Sequence, residues 1–378
     1  MRINVTQKFS LLALAVLLLM SPGWPAQNPS APLPSTKEFK KLIESAGEDS
    51  HLSKWKNGPF HLVTKVNYSL SGTTVGGVYE ILWASQDQFR VNLKLGDSAE
   101  VYIVTGGKVY HWRTSLAVFL PKMTLDTAVQ SPLLIWDDEG ESVHKVYASN
   151  ATGQSLTCGE VSDFYLTGEA CADPTTNKIV SLHVTPKPHK QADVGIGHYL
   201  HAEGSSFTLT GAVPGAPAWY PARIERNVYD EHVVVEVSTF ATVKSFADSV
   251  FTPPKSATSY DWCAEPSYVR RVGFDRAAIP GTAPWEQRVD SSHATYMGPG
   301  AMPSVTITEP GELLAYYLIV GPDGKASTVR ALRANDPHSQ EKLDKDFSQV
   351  MFPKLACNGK DITREMVIYP PITLAPRK

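Results

Sequence analysis

The stretch "FHLVTKVNYSL", residues 60–70, decides the fold. Phe60, Leu62, Val66, Tyr68 and Leu70 fall on one side of a two-residue period, and His61, Lys65, Asn67 and Ser69 fall on the other. Successive side chains of a strand point to opposite faces, so this pattern predicts an antiparallel strand with one dry face and one wet face. "QFRVNLKLG" at 88–96 repeats the device, with Phe89, Val91, Leu93 and Leu95 set against Arg90, Asn92 and Lys94. Further strands are predicted at 77–84, 100–105, 108–114, 154–158, 179–185, 206–211, 219–228 and 232–240. Gly76-Gly77, Gly106-Gly107 and "DPTTNK" at 173–178 supply turn signals between them.

No long amphipathic helix interrupts this run. The expectation is a mainly β protein whose residues 58–250 form one large, curved, mostly antiparallel sheet. Such a sheet has to cover its apolar face, by closing on itself, by packing on a helix or by enclosing an apolar ligand. Phe60, Tyr68, Phe89, Leu93 and Leu95 are the candidate ligand-lining residues, and the competing reading is a dense core without room.

Outward from the sheet, the amino end reads as an export signal. Arg2 and Lys8 precede an apolar run from Leu11 to Met20, and Ser21, Pro22, Gly23 and Ala26 follow. A basic region, a short apolar region and a small residue near the cut make residues 1–26 a cleavable secretory signal. The run has about half the ~20 residues a membrane-spanning helix needs. No other segment is apolar enough, so the mature chain is expected to carry no transmembrane helix. Cleavage moves the net charge from −3 to −5, an acidic balance that argues against nucleic acid as a partner. Residues 27–57 read as a flexible leader and one short helix. Ser35 and Glu38 have capping-box spacing, Phe39, Leu42, Ile43 and Ala46 share a helical face, and Gly47 is the expected stop.

Four cysteines in an exported chain suggest disulfides. Cys158 and Cys171 are close enough to staple neighbouring strands, which leaves Cys263 and Cys357 as the other pair; the two remaining connectivities stay open. No Cys or His spacing suggests a metal, and no cofactor is expected. His183, His189, His198 and His201 read as surface histidines. "GDS" at 96–98 sits in a strand-to-strand turn, so Ser98 lacks the strand–Ser–helix setting of a hydrolase nucleophile. No catalytic residues are assigned.

Residues 251–310, rich in Pro, Gly and Ser, read as a linker. A compact α+β unit of order strand, strand, helix, strand follows over 311–378. Leu313–Val320 and Ala326–Arg333 are strands joined by "GPDGK", in which Pro322 presets φ, Asp323 bonds locally and Gly324 supplies φ > 0. Leu343, Phe347, Val350 and Met351 are expected on one side of the helix. Ile362–Tyr369 is the last strand, stopped by Pro370-Pro371.

The strand–"GPDGK"–strand unit, its helix and "FPKLACNGK" at 352–360 resemble the TonB C-terminal domain of energy transducers. The residues that carry the likeness are Val320, Gly321, Asp323, Gly324, Val329, Leu332, Leu343, Phe352, Pro353, Asn358, Gly359 and Lys360. "GVYEILWASQDQFRVNL" and "VYIVTGGKVYHW" make the front part similar to the LolA-like lipoprotein-carrier superfamily, so a LolA-like half-barrel followed by a TonB-C-like ββαβ domain is the expected fold. The resemblance implies the periplasm of a diderm bacterium. It implies a tail that adds a strand from an outer-membrane receptor or other envelope protein to a sheet edge, and a front domain that holds a lipid or acyl chain. Ile362, Thr363, Glu365 and Val367 are the candidate partner-binding edge. The expected protein is a non-enzymatic envelope protein linked to transport. The alternatives are an envelope hydrolase and a structural, disulfide-stabilised scaffold.

Overall fold

The computed structural model describes residues 32–52, 55–70, 72–133, 142–150, 153–162, 166–187, 206–216, 218–228, 231–262, 305–307, 316–332, 340–348, 350–352, 354–357, 359–368 and 372–374. Met1–Pro34 forms one unit and Ser35–Lys378 another. The first holds the expected signal segment, which lies outside the described residues. All the elements that follow belong to the second.

Helix α1 (Thr36–Ser50) leads into strands β1 (Phe60–Leu70), β2 (Thr73–Ser85), β3 (Gln88–Leu95), β4 (Ser98–Thr105) and β5 (Lys108–Arg113). Helix α2 (Phe119–Gln130) follows, then β6 (Ser142–Ser149), β7 (Leu156–Ser162), β8 (Leu166–Asp173), β9 (Lys178–Pro186), β10 (Ser206–Thr210), β11 (Arg223–Val228), β12 (Glu231–Thr242) and β13 (Thr258–Asp261). These strands form a single 13-stranded sheet in the order β13-β5-β4-β3-β2-β1-β12-β11-β10-β9-β8-β7-β6. Its end strands, β13 and β6, are not neighbours, so the sheet is open. It consists of two meanders, β1 to β5 and β6 to β12, joined where β1 pairs antiparallel with β12 from Phe60 opposite Thr242 to Leu70 opposite Glu231.

The alternation in β1 is realised in burial. Phe60, Leu62, Val66 and Tyr68 are buried, and Thr64 takes the place between them. Thr64 is tolerated there because its hydroxyl donates to the Tyr79 carbonyl at 3.0 Å. Trp83, Phe89 and Phe240 join the same face, with Phe60 stacked on Trp83 at 5.8 Å between centroids. Each large aromatic buried here contributes roughly 1.5–3 kcal/mol.

Helix α1 begins with the expected capping box, Ser35 Oγ accepting from the Glu38 amide and the Glu38 carboxylate accepting from the Ser35 amide. It does not stop at Gly47. The helix runs to Ser50, whose hydroxyl donates to the Gly47 carbonyl, because Ala46 and Ser50 are both buried and hold the last turn down. Phe39 of α1 lies over β7 at Gly159, where an added Cβ would stand 2.6 Å from its ring, so only glycine fits.

Helix α2 departs from the expectation of an uninterrupted strand run. Every side chain described in it is buried. Those buried side chains include the polar Lys122, Thr124, Asp126 and Gln130, so burial follows no apolar stripe, and no 3.6-residue hydrophobic period is visible in "FLPKMTLDTAVQ". Residues 258–261, read as the start of the linker, instead form β13 on the edge of β5, and the Trp262 indole behind them donates to the Gln86 carbonyl. The sheet therefore extends past residue 250.

The tail contains β14 (Val305–Ile307), β15 (Tyr316–Val320), β16 (Ala326–Ala331), helix α3 (Gln340–Phe347), β17 (Leu355–Cys357), β18 (Lys360–Ile362), β19 (Arg364–Ile368) and β20 (Ile372–Leu374). β16, β15 and β19 form a three-stranded antiparallel sheet, β17 pairs with β18, and β14 pairs in parallel with β20. The "GPDGK" hairpin closes with Gly324 at φ 82° and the Lys325 amide donating to Asp323 Oδ1. Two expectations are corrected. The single strand 362–369 breaks at Thr363, because Ile362 pairs with Leu355 while Arg364 pairs with Val320. Leu343, Phe347 and Val350 are buried, but Met351 is 37% exposed. The helix ends at Phe347, and Met351 forms an isolated bridge with Lys325 beyond it, off the apolar stripe.

Candidate functional site

Two polar constellations sit on the buried inner face of the large sheet. The first is centred on α2. Tyr79 of β2 donates its hydroxyl to Asp126 Oδ1 at 2.5 Å, and Gln130 Nε2 donates to the Tyr79 oxygen at 2.9 Å and to Asp126 Oδ1 at 3.3 Å. The Lys122 ammonium, one turn before Asp126, pairs with Asp126 Oδ2 and lies 4.5 Å from the centroid of the Tyr102 ring. Thr124 donates to Glu231 Oε2 at 3.0 Å, and Tyr220 donates to the Val129 carbonyl. Burial pushes the Asp126 carboxyl above its ordinary value, against the pull of Lys122 and Tyr79. Burial and the Asp126 charge push the Tyr79 phenol well up. Neither group faces solvent, and the arrangement anchors α2 to the sheet.

The second constellation joins the front sheet to the tail. Glu100 of β4 stands opposite Arg113 of β5, and Tyr102 stands opposite His111, so all four share the inner face. Arg113 Nη2 lies 3.2 Å from Glu100 Oε1 and 3.4 Å from each oxygen of Glu365, which comes from β19. His111 Nε2 lies 3.1 Å from Glu365 Oε2, and Arg113 Nη2 lies 3.1 Å from His111 Nδ1. His111 Nδ1 also lies 3.4 Å from Glu100 Oε1. Tyr317 of β15 donates its hydroxyl to Glu365 Oε1. The guanidinium also lies over two rings, 4.8 Å from the Phe119 centroid and 5.5 Å from that of Tyr317. Burial pushes the Glu100 carboxyl up, but the His111 hydrogen bond and the charges of Arg113 and Lys122 outweigh it and hold the carboxyl below its ordinary value. Burial pulls the Arg113 guanidinium down, and the charges of Glu365 and Glu100 more than restore it.

The residues predicted from sequence are only partly brought together. Phe60, Tyr68, Phe89, Leu93 and Leu95 lie in one buried cluster, packed with Trp55, Phe39, Leu125 and Val129. Helix α1, helix α2 and Trp55 contribute to the same cluster on this face. Of the edge residues, Ile362 lies in β18 with its side chain buried in the front core, and Thr363 lies between strands. Glu365 and Val367 lie in β19; Glu365 is turned into the second constellation, and the Val367 side chain is outside the described residues. β19 is the outer strand of its sheet, and no described strand pairs on its far side. Cys158 and Cys171 form a disulfide between directly opposed residues of β7 and β8. Together with Glu169 they are the candidate metal group among the described residues, but disulfide sulfurs are not thiolates and do not ligate as such. Cys263 lies outside the described residues, as does the side chain of Cys357. Among the histidines, His183 meets the Thr208 hydroxyl on the exposed face, and His189, His198 and His201 lie outside the described residues. Ser98 opens β4 across a hairpin turn from β3.

Arg113, His111, Glu100 and Tyr317 were not singled out from sequence, although a signal exists. In "SAEVYIVT" Glu100 shares parity with Tyr102 and Val104, and in "KVYHWR" His111 and Arg113 share parity with Val109. Polar residues in phase with a dry face have to find partners there.

No protein-family model and no curated protein matches the chain. Among solved structures it is similar to a LolA superfamily protein from Nitrosomonas europaea, with 10% identity over 57% of this chain and 97% of that one and a TM-score of 0.34. It is similar to a lipoprotein-sorting protein domain from Vibrio parahaemolyticus, with 9% identity over 57% and 95% and a TM-score of 0.32. It is also similar to a chain of the Pseudomonas aeruginosa MucA/MucB complex, with 11% identity over 88% and 94% and a TM-score of 0.26. With scores this low, the functional reading rests on the chain's own geometry.

Proposed function

We propose that this chain is an exported, non-enzymatic envelope protein that binds a protein partner by strand addition at β19, in the manner the TonB C-terminal resemblance implies. The observation that carries the reading is the position of β19, at the border of a three-stranded sheet with no described strand on its outer side. An open border presents unpaired amide and carbonyl groups to any extended segment that approaches it. The apolar leader with Arg2 and Lys8, and the Cys158–Cys171 disulfide, support an oxidising compartment outside the cytoplasm. A photoreactive phenylalanine analogue at Thr363 tests the reading in intact cells. Cross-linking to one envelope protein, abolished by a proline at Met366, is expected. Cross-links only to abundant bystanders, unchanged by the proline, would overturn it.

An acyl ligand on the inner face is a second reading, favoured by the aromatic lining from Phe60 to Phe89. It requires room beside α2, whose Leu125 and Val129 belong to the same buried cluster as that lining. Native mass spectrometry of protein purified from its own envelope should then show a lipid adduct, and repeated bare spectra would remove the reading.

A further inference from the structure

We infer that Glu365 is a latch: its carboxylate, drawn into the front sheet by Arg113 and His111, holds the docking strand β19 against that sheet and restrains it until a partner engages. The inference rests on the strand-addition reading and concerns the control of the same strand.

Three observations lead to it. First, Glu365 sits in the second of five positions of an outer strand, yet its side chain is only 8% exposed. A charge turned inward from an outer strand is a device that keeps such strands from pairing promiscuously. Second, everything that holds the carboxylate, apart from Tyr317, belongs to the front sheet. Arg113 and His111 supply the nitrogens that meet it, Glu100 shares the guanidinium, and Tyr260 of β13 faces the group from the sheet's end. The strand's position is therefore tied to a surface more than 250 residues away in sequence. Third, the joint is under-saturated. Among the described residues, Arg113 Nε and Glu100 Oε2 are buried without a hydrogen-bond partner, and two carboxylates divide one guanidinium nitrogen. A buried charge network that leaves polar atoms unmet is marginal and can be exchanged for water at modest cost. In the Tyr79–Asp126–Lys122–Gln130 group, by contrast, both carboxylate oxygens have donors and no described side-chain polar atom is left wholly unmet.

Hydrogen exchange on the full mature chain tests this, with Glu365→Gln and Arg113→Leu compared with wild type. The latch predicts at least tenfold faster exchange of the Arg364–Ile368 amides in both variants, with the β1 and β12 amides unchanged. Rates in Arg364–Ile368 within twofold of wild type would overturn it. Equal acceleration in the β15–β16 hairpin would also overturn it, because Glu365 would then be a folding contact of the whole tail. Should Arg113→Leu fail to fold, Glu365→Gln alone decides, since it keeps the side-chain volume and the Tyr317 hydrogen bond. The exchange result needs no partner. Absence of the Thr363 cross-link in both wild type and Glu365→Gln would sink strand addition while leaving the latch to be judged by its own rates.

Discussion

The two buried polar groups of the inner face invite comparison. Around Asp126, every member comes from the front sheet or from α2, and each carboxylate oxygen has a donor. Around Glu365, the members come from β4, β5, β15 and β19, and two buried polar atoms go unmet. The same chemistry of Arg or Lys against a carboxylate thus serves opposite ends. Where all partners ride on one rigid layer, the group fixes a helix in place. Where they ride on two layers with a hydrogen bond to spare, it makes a joint that can open.

The largest effect is expected at the first group. Asp126→Ala strands the Lys122 ammonium in the core and should cost about 3–5 kcal/mol in urea unfolding of the mature chain. A loss under about 1 kcal/mol would erase the difference between the two groups. Arg113→Leu should cost less, about 2–3 kcal/mol, because Glu365 can swing into water with the tail whereas Asp126 cannot. Tail signals should then be lost at lower urea than front-sheet signals; a single coincident transition would count against two layers.

Acid should separate the groups by sign. The Glu100 carboxyl is held below its ordinary 4.5, so its contribution is complete above that value and is lost as the pH falls through the lower folded value. The Asp126 carboxyl is pushed above its ordinary 3.8, so its contribution is complete below that value and is lost as the pH rises through the higher folded value. Difference curves of stability against pH should therefore slope in opposite directions, wild type minus Glu100→Gln rising with pH below 4.5 and wild type minus Asp126→Asn falling with pH above 3.8, each by no more than about 1.4 kcal/mol per pH unit. Slopes of one sign would break the comparison. The smallest change belongs to the exposed Tyr147–Glu169 contact on the outside of the sheet, where Tyr147→Phe should move stability by no more than about 0.5 kcal/mol.

Much of the fold was legible in the sequence because a strand wetted on one face writes its period plainly. β1, β3 and the "GPDGK" hairpin are examples. Helix α2 was not legible, because it buries polar side chains such as Lys122, Asp126 and Gln130, which breaks the apolar stripe that would announce it. β13 hid among prolines, since a four-residue strand is defined by the neighbour it pairs with. The junction at Glu365 was half legible. The inward parity of Glu100, His111 and Arg113 marks polar groups in need of partners, but nothing local says that the partner lies on β19.

The junction of β1 with β12 has a consequence for how the molecule comes into being. A chain delivered amino end first completes the β1–β5 meander while the strand destined for its flank has yet to emerge. The groups of β1 that face β12, from Phe60 to Leu70, stay uncovered throughout that interval. Until Glu231–Thr242 arrives, the nascent molecule presents a long, half-apolar ribbon to every other chain in the compartment. The seam that makes one sheet from two meanders is thus also the longest to wait for its partner strand.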